Sequence, residues 1–174
     1  MKPPPSPTPQ TDLVTDPNPD LRPVFLAPTA PTDSTDSTAP TGAVRPLLVV
    51  DAANVIGSRP DGWWHDRAGA AHRLLTSLAA CLAGPGIHTD IIVILEGAAR
   101  AAADEPVADT PSTLHVVLAK GSGDDTIVEV VTTALQQHPD RPTTVITADR
   151  GLRSRVEPLG AATAGPSHLW SLLD

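Results

Sequence analysis

The sequence has 174 residues and a formal net charge of −8 at pH 7. Three of its 12 basic and five of its 20 acidic residues fall in positions 1–46, so the remainder carries a charge of −6. An electrostatic nucleic-acid binder should be basic, so this charge argues against that class. It does not exclude an enzyme that reaches phosphates through metal ions. Cys81 is the single cysteine, which excludes a disulfide framework and a cysteine-based zinc site.

Residues 1–46 differ from the rest in composition, because they hold 12 of the 20 prolines and are otherwise rich in Thr, Ser and Asp. So few apolar residues cannot offset the entropy of ordering the segment, and we predict a disordered tail. Its one apolar triplet, at 24–26, has two interpretations: docking on an unknown protein partner, or no structural role. No apolar signal region follows Met1, and no run approaches the roughly 20 apolar residues of a membrane span, so we expect a cytoplasmic protein that does not contact membranes.

Residues 47–174 form the predicted domain, in which short apolar runs alternate with helical patterns. Gly and Pro punctuate the predicted loops, including a long one at 55–65. The predicted strands are 47–51, 91–95, 113–118, 143–147 and, at an edge, 161–164; the predicted helices are 66–83, 97–103, 124–137, 151–157 and 166–173. Strands that alternate with helices indicate an α/β fold with a parallel sheet and helices on both faces.

Acidic residues follow the predicted strands. Asp51 ends the first strand, Glu96 follows the second, and Asp149 follows the fourth, while Asp124 and Asp125 open the helix after the third. All carboxyl ends of a parallel sheet lie at one edge, where ligands bind in open α/β folds. Neighbouring carboxylates repel one another, and a divalent cation that prefers oxygen ligands, Mg²⁺ or Mn²⁺, relieves the repulsion. The pattern therefore favours metal-dependent hydrolysis of a phosphodiester.

Each of these carboxylates also has a structural interpretation. Asp124 and Asp125 lie where helix capping and the helix dipole favour acids, and Asp149 is placed to cap a helix. Asp51 is harder to explain in this way, because a carboxylate at the end of a buried central strand requires a ligand or a fixed donor.

Three motifs together resemble those of NYN-domain nucleases of the PIN-like superfamily, with the closest likeness to the YacP-like bacterial branch. The motifs are Val-Val-Asp-Ala-Ala-Asn at 49–54, Gly-Ser-Gly-Asp-Asp at 121–125 and Val-Ile-Thr-Ala-Asp-Arg-Gly-Leu at 145–152. The resemblance implies a Rossmann-like three-layer α/β/α sandwich and an RNase activity that depends on Mg²⁺ or Mn²⁺.

By motif position, the resemblance implies that Asp51 is the first metal-binding carboxylate and that Asn54 orients it or contacts substrate. Asp124 or Asp125 would be the second carboxylate and Asp149 the third, with Glu96 as a further candidate ligand. Arg150 stands where relatives often carry another acid. This departure leaves open a catalytically weak or inactive module that binds RNA or protein.

Other residues are candidates for substrate binding. Ser58, Arg59, Arg67, Lys120 and Arg150 are placed to contact phosphate, although the charged ones are equally compatible with salt bridges to the acids. Trp63 and Trp64 are placed to stack on an unpaired base. The alternative is that at least one of them closes the core under the loop, which we expect of Trp64.

The function that the sequence favours is a small metal-dependent ribonuclease with Asp51, Asp124 and Asp149 as catalytic residues. The alternatives are the non-catalytic RNA- or protein-binding module and a phosphohydrolase of free nucleotides. The sequence is compatible with a homo-oligomer and does not specify one.

Overall fold

The computed structural model describes residues 44–173. Residues 1–43 of the predicted tail lie outside this range, so the predicted disorder stays a prediction. Within the described range there are five strands, and each lies within one residue of its predicted position at both ends. They are β1 (Leu47–Asp51), β2 (Asp90–Leu95), β3 (Leu114–Leu118), β4 (Thr143–Ile146) and β5 (Ala162–Ala164).

The strands of residues 44–173 form one parallel sheet in the order β3-β2-β1-β4-β5. β1 lies at the centre, and Val49 pairs with Ile92 on one side and Val145 on the other. All five residues of β1 are buried, as expected of a strand covered on both faces. The sheet therefore brings the carboxyl ends of β1, β2 and β4 to one edge, side by side.

Helices connect the strands and cover both faces, which confirms the predicted three-layer α/β/α architecture. Two short 3₁₀ helices, Gly97–Ala103 and Glu157–Leu159, precede β3 and β5. The α-helices in the described part of the chain are α1 (Ala52–Gly57), α2 (Arg67–Ala83), α3 (Gly123–Gln137), α4 (Arg150–Val156) and α5 (Pro166–Leu173).

One prediction in this region is wrong: the segment after β1 is not loop from residue 55. It starts with α1, six residues that bury Ala52, Val55 and Ile56 against the sheet. The loop is therefore shorter than predicted and begins at Ser58. Because α1 follows β1 without a break, Asp51 is both the last strand residue and the helix N-cap.

Two apolar clusters fill the space between the layers. α1, α2 and α5 cover one face of the sheet, where Leu74, Leu75 and Leu78 of α2 are fully buried. α3 and α4 cover the other face, around Ile127 and Leu152. No helix among residues 44–173 is long and apolar enough to cross a membrane.

Polar side chains fix the starts of the helices at the carboxyl edge. Asp66 caps α2 by accepting a 2.8 Å hydrogen bond from the Gly69 amide. Ser122 caps α3 and Asp149 caps α4. Each cap satisfies an amide that has no partner within its own helix. The helices that follow β1, β3 and β4 therefore begin at the edge where the acids lie.

Candidate active site at the carboxyl edge of the sheet

Asp51 is the most constrained acid of this edge. Its side chain is only 8% exposed. Oδ1 accepts a 3.1 Å hydrogen bond from the Asn54 amide, and Oδ2 accepts a 2.9 Å hydrogen bond from the Thr147 hydroxyl. Each carboxylate oxygen has two lone pairs, so both oxygens can accept a further donor or ligand.

Thr147 connects the ends of β1 and β4. It is completely buried, and its Oγ1 donates to Asp51 while it accepts a 3.1 Å hydrogen bond from the Asp149 amide. Asn54 adds a parallel link, because its Oδ1 accepts a 3.0 Å hydrogen bond from the Ala148 amide. These contacts hold the loop of Asp149 against the end of β1. The Asn54 side chain thus contacts a backbone amide and not the Asp51 side chain, so its predicted role toward Asp51 or substrate stays a prediction.

The pKa of Asp51 is raised above its ordinary value of 3.8, chiefly because burial removes water from the carboxylate. The hydrogen bonds from Asn54 and Thr147 act in the opposite direction, since they stabilise the charged form. Repulsion from Asp124 and Glu96 raises the pKa further. The carboxylates of β1, β2 and α3 are therefore close enough to repel one another, as the strand order requires.

Asp124 lies at the centre of this repulsion. Its pKa is also raised, first by burial and then by the charge of Asp149, with smaller contributions from Glu96 and Asp125, while Arg155 lowers it. Asp124 therefore repels both Asp51 and Asp149, and it links the Asp51 side of the site to the Asp149 side.

Glu96 has a structural contact of its own. Its Oε2 accepts a 2.7 Å hydrogen bond from the Gly123 amide at the start of α3. A Cβ at position 123 would lie 2.7 Å from the same oxygen, so glycine leaves the room that this contact needs. Glu96 thereby holds the first turn of α3, and with it Asp124, beside the end of β2.

Asp125 is held outside this cluster. Its side chain is 71% exposed and its Oδ1 accepts a 2.7 Å hydrogen bond from the Arg155 guanidinium of α4. Of the two neighbouring acids, Asp124 therefore faces the other carboxylates, while Asp125 pairs with a cation on the adjacent helix.

The donors of the edge suit a hard divalent cation, since they are all carboxylate oxygens. Within residues 44–173, however, no three His, Cys, Asp or Glu side chains lie close enough to hold one ion together. Mg²⁺ commonly binds through one or two carboxylates and keeps several water ligands. The arrangement fits an ion held in that way, by Asp51 or Asp124 with water in the remaining positions.

The side chains of Ser58 and Arg59 contact α5. The Ser58 hydroxyl donates to the Val55 carbonyl at 2.6 Å and accepts a 3.1 Å hydrogen bond from the indole of Trp170. The Arg59 guanidinium lies 3.7 Å from the centre of the Trp170 ring. Both residues thus help attach α5 to the loop after α1, and their predicted contacts with phosphate stay predictions.

The two tryptophans of this loop have the reverse of the expected burial. Trp63 is partly buried and packs against the core, with its ring 3.6 Å from the Cβ position of Gly57. Trp64 is 53% exposed and does not close the core. Arg67 places its guanidinium 5.4 Å from the centre of the Trp63 ring. The expectation that Trp64 fills the space under the loop is therefore wrong.

Lys120 and Arg150 flank the acids and are both exposed. Lys120 lies in the turn between β3 and α3, and Arg150 is the first residue of α4. Each therefore stands close in sequence to a carboxylate of the edge, Asp124 in one case and Asp149 in the other. Their roles as phosphate ligands stay predictions.

Sequence reasoning missed two residues that shape the site. Thr147 had a signal, because it occupies the last position before the Ala148-Asp149 turn, where its side chain can reach the neighbouring strand. Arg155 had none, since its partner Asp125 lies 30 residues away and only the packing of α4 on α3 brings them together.

The fold, with acids at the carboxyl edge of its parallel sheet, is similar to that of solved structures. No protein-family model and no curated protein matches the sequence. Among solved structures, the chain is similar to Rae1 (YacP) from Bacillus subtilis, with a TM-score of 0.56 and 19% identity over 73% of this chain and 72% of that chain. A tryptophan-to-leucine mutant of Rae1 gives a TM-score of 0.57 and 18% identity over 74% of each chain. The predicted YacP-like resemblance is confirmed at the level of the fold.

We predict that Gly123→Ala lowers the free energy of unfolding by about 1 kcal/mol, because Glu96 must move and give up its hydrogen bond to the helix amide. In a Glu96→Ala background the same change should cost nothing or stabilise the protein, since alanine favours a helix over glycine. Chemical denaturation of the two single variants and the double variant measures this coupling. Equal effects of Gly123→Ala in both backgrounds would show that Glu96 does not hold α3.

We predict that Asp51→Asn stabilises the protein at neutral pH in the presence of EDTA. A raised folded-state pKa means that the native state binds the proton more tightly, so its stability falls as the pH rises from 3.8 through the folded pKa. The neutral amide avoids this loss and still caps α1. Thermal unfolding of both proteins across this pH range should show the advantage of the variant at neutral pH and its disappearance below pH 3.8. A variant that is less stable at neutral pH would contradict the account.

Proposed function

We propose that this protein is a ribonuclease that hydrolyses phosphodiester bonds with Mg²⁺ or Mn²⁺. The observation that carries the proposal is the buried carboxylate of Asp51, whose pKa is raised first by burial and then by repulsion from Asp124 and Glu96. A fold gains nothing in stability from gathering like charges in this way, whereas a cation would convert the repulsion into attraction. The similarity of the fold to Rae1 (YacP) supports the same class of enzyme.

Asp51 and Asp124 are the proposed main ligands, and Asp149 and Glu96 would contact the ion through water molecules. Asp125 is the weaker candidate, because its oxygen is paired with Arg155. When bound, the ion would lower the pKa of a water molecule and stabilise charge on the phosphodiester.

The protein's own residues position these groups. Thr147 fixes the direction of the Asp51 carboxylate and holds the Asp149 amide. Asn54 holds the Ala148 amide. Contacts of this kind around a metal ligand orient it before substrate arrives. Lys120, which precedes α3, and Arg150, the first residue of α4, are proposed to contact phosphates near the acids.

We predict that the full chain cleaves RNA in the presence of Mn²⁺ and that Asp51→Asn abolishes the cleavage. Thr147→Val, which removes the hydroxyl but keeps the shape, should reduce the rate by about 10- to 100-fold. The readout is the appearance of shorter fragments of a labelled RNA on a denaturing gel, with EDTA as the metal-free control.

Asp140→Asn is the matched control. Asp140 is exposed and directly precedes the segment leading into β4, at the opposite edge of the sheet, so this variant loses an acid without touching the site. Its activity should equal that of the unmodified protein. Cleavage that survives Asp51→Asn, or that Asp140→Asn removes equally, would contradict the proposed site.

A second candidate function is a module that binds RNA without cleaving it. It is favoured by the absence, within residues 44–173, of three acids close enough to share an ion, and by the single acid in the turn after β4. Binding of RNA that persists in EDTA, with no product in Mn²⁺, would select this candidate over the nuclease.

A further inference from the structure

Trp64 is an exception to the usual burial of tryptophan, since it is 53% exposed while its neighbour Trp63 packs against the core. The two rings meet edge to face with 6.1 Å between their centres. The centre of the His65 ring lies 5.4 Å from that of Trp64, with the two planes tilted by 46°. The exposed Trp64 ring therefore has two aromatic neighbours, of which Trp63 is partly buried.

This aromatic cluster, Trp63-Trp64-His65, lies on the same side of the molecule as the acids. β1 and β2 are parallel, so the chain must return along α2 from the carboxyl edge to the amino edge. The residues just before α2 are therefore at the carboxyl edge. α1 begins directly after Asp51, and its six residues span about 9 Å. The loop that carries the cluster therefore begins roughly this distance from Asp51, which a few nucleotides of one strand can span.

Two arginines accompany the rings, and Asp61 and Asp66 balance their formal charge within the same stretch. The Arg67 guanidinium lies over Trp63, and Arg59 stacks on Trp170 at the other end of the loop. Arg67 thus lies on the ring next to the exposed one, and a guanidinium near an exposed ring suits a ligand that combines flat bases with phosphates.

We propose that the aromatic cluster is a stacking surface for unpaired RNA bases, with Trp64 as its main contact. This inference rests on the proposed ribonuclease function and assigns it a binding surface outside the acidic edge. Bases of a duplex stack on one another and present no free face, whereas unpaired bases stack on exposed aromatic rings. Arg67 contacts a phosphate of the same strand, and the strand continues towards Asp51.

The test measures binding separately from cleavage. The full chain with Asp51→Asn, in EDTA, is titrated with a short fluorescein-labelled oligouridylate and with a labelled RNA duplex, and anisotropy reports the affinity. We expect the single strand to bind more tightly than the duplex. Trp64→Ala should weaken binding of the single strand about tenfold, and Trp64→Phe should weaken it less because a ring remains.

Ile87→Ala is the control, because Ile87 is also an exposed large apolar residue but precedes β2 at the amino edge. It should leave the affinity unchanged. The unlabelled oligouridylate should also quench tryptophan fluorescence, and Trp64→Phe should remove most of that quenching, which a merely structural role would not predict.

Three results would overturn the inference. Binding of the single strand that is unaffected by Trp64→Ala would remove Trp64 from the RNA site while leaving the ribonuclease proposal intact. Unchanged RNA affinity with an altered sedimentation coefficient would identify the cluster as a contact between copies of the chain. If no variant binds RNA and the unmodified chain cleaves none in Mn²⁺, the proposed function fails as well.

Discussion

The hydrogen bond from the Thr147 hydroxyl to the Asp51 carboxylate is the contact on which the rest of the site depends. It joins the carboxyl end of β1 to that of β4. It also gives one oxygen of the buried Asp51 carboxylate a hydrogen-bond donor in place of water. The backbone amide of Asn54 donates to the other carboxylate oxygen, because α1 starts directly after Asp51 without an intervening loop. A buried charge is tolerated only when such donors surround it. Without these donors, the Asp51 carboxylate would be a buried charge with no hydrogen-bond partner, and it would destabilise the fold.

These donors do not fully compensate the charge, since the pKa of Asp51 remains raised by burial and then by Asp124 and Glu96. The other acids of the edge are divided by their own contacts: Glu96 holds the start of α3, Asp149 caps α4, and Asp125 pairs with Arg155. Asp124 is therefore the second carboxylate of this edge whose pKa is raised. Two neighbouring acids with raised pKa values lower the stability of the fold at neutral pH. Binding of a cation would reverse this cost, as expected of a site where function and stability conflict.

Most of the fold could be predicted from the sequence, because strands buried on both faces are unbroken apolar runs whose ends coincide with the first polar residue. α1 was missed because six residues are too few to show helical periodicity. Asp51 and Glu96 could be found too, because each is the first polar residue after an apolar run. The choice between neighbours could not: Asp124 and Asp125, or Trp63 and Trp64, are identical in type, and packing with distant residues such as Arg155 decides which one turns inward.

The most direct test of a cation site at this edge is diffraction from crystals soaked in Mn²⁺, with data collected where manganese scatters anomalously. The account predicts an anomalous peak about 2.0–2.6 Å from an Asp51 or Asp124 oxygen, with water completing the coordination and Asp125 still paired with Arg155. The same soak of an Asp51→Asn crystal should show a weaker peak or none. A crystal in which no manganese lies beside either carboxylate, while the ion binds elsewhere on the protein, would contradict the central claim.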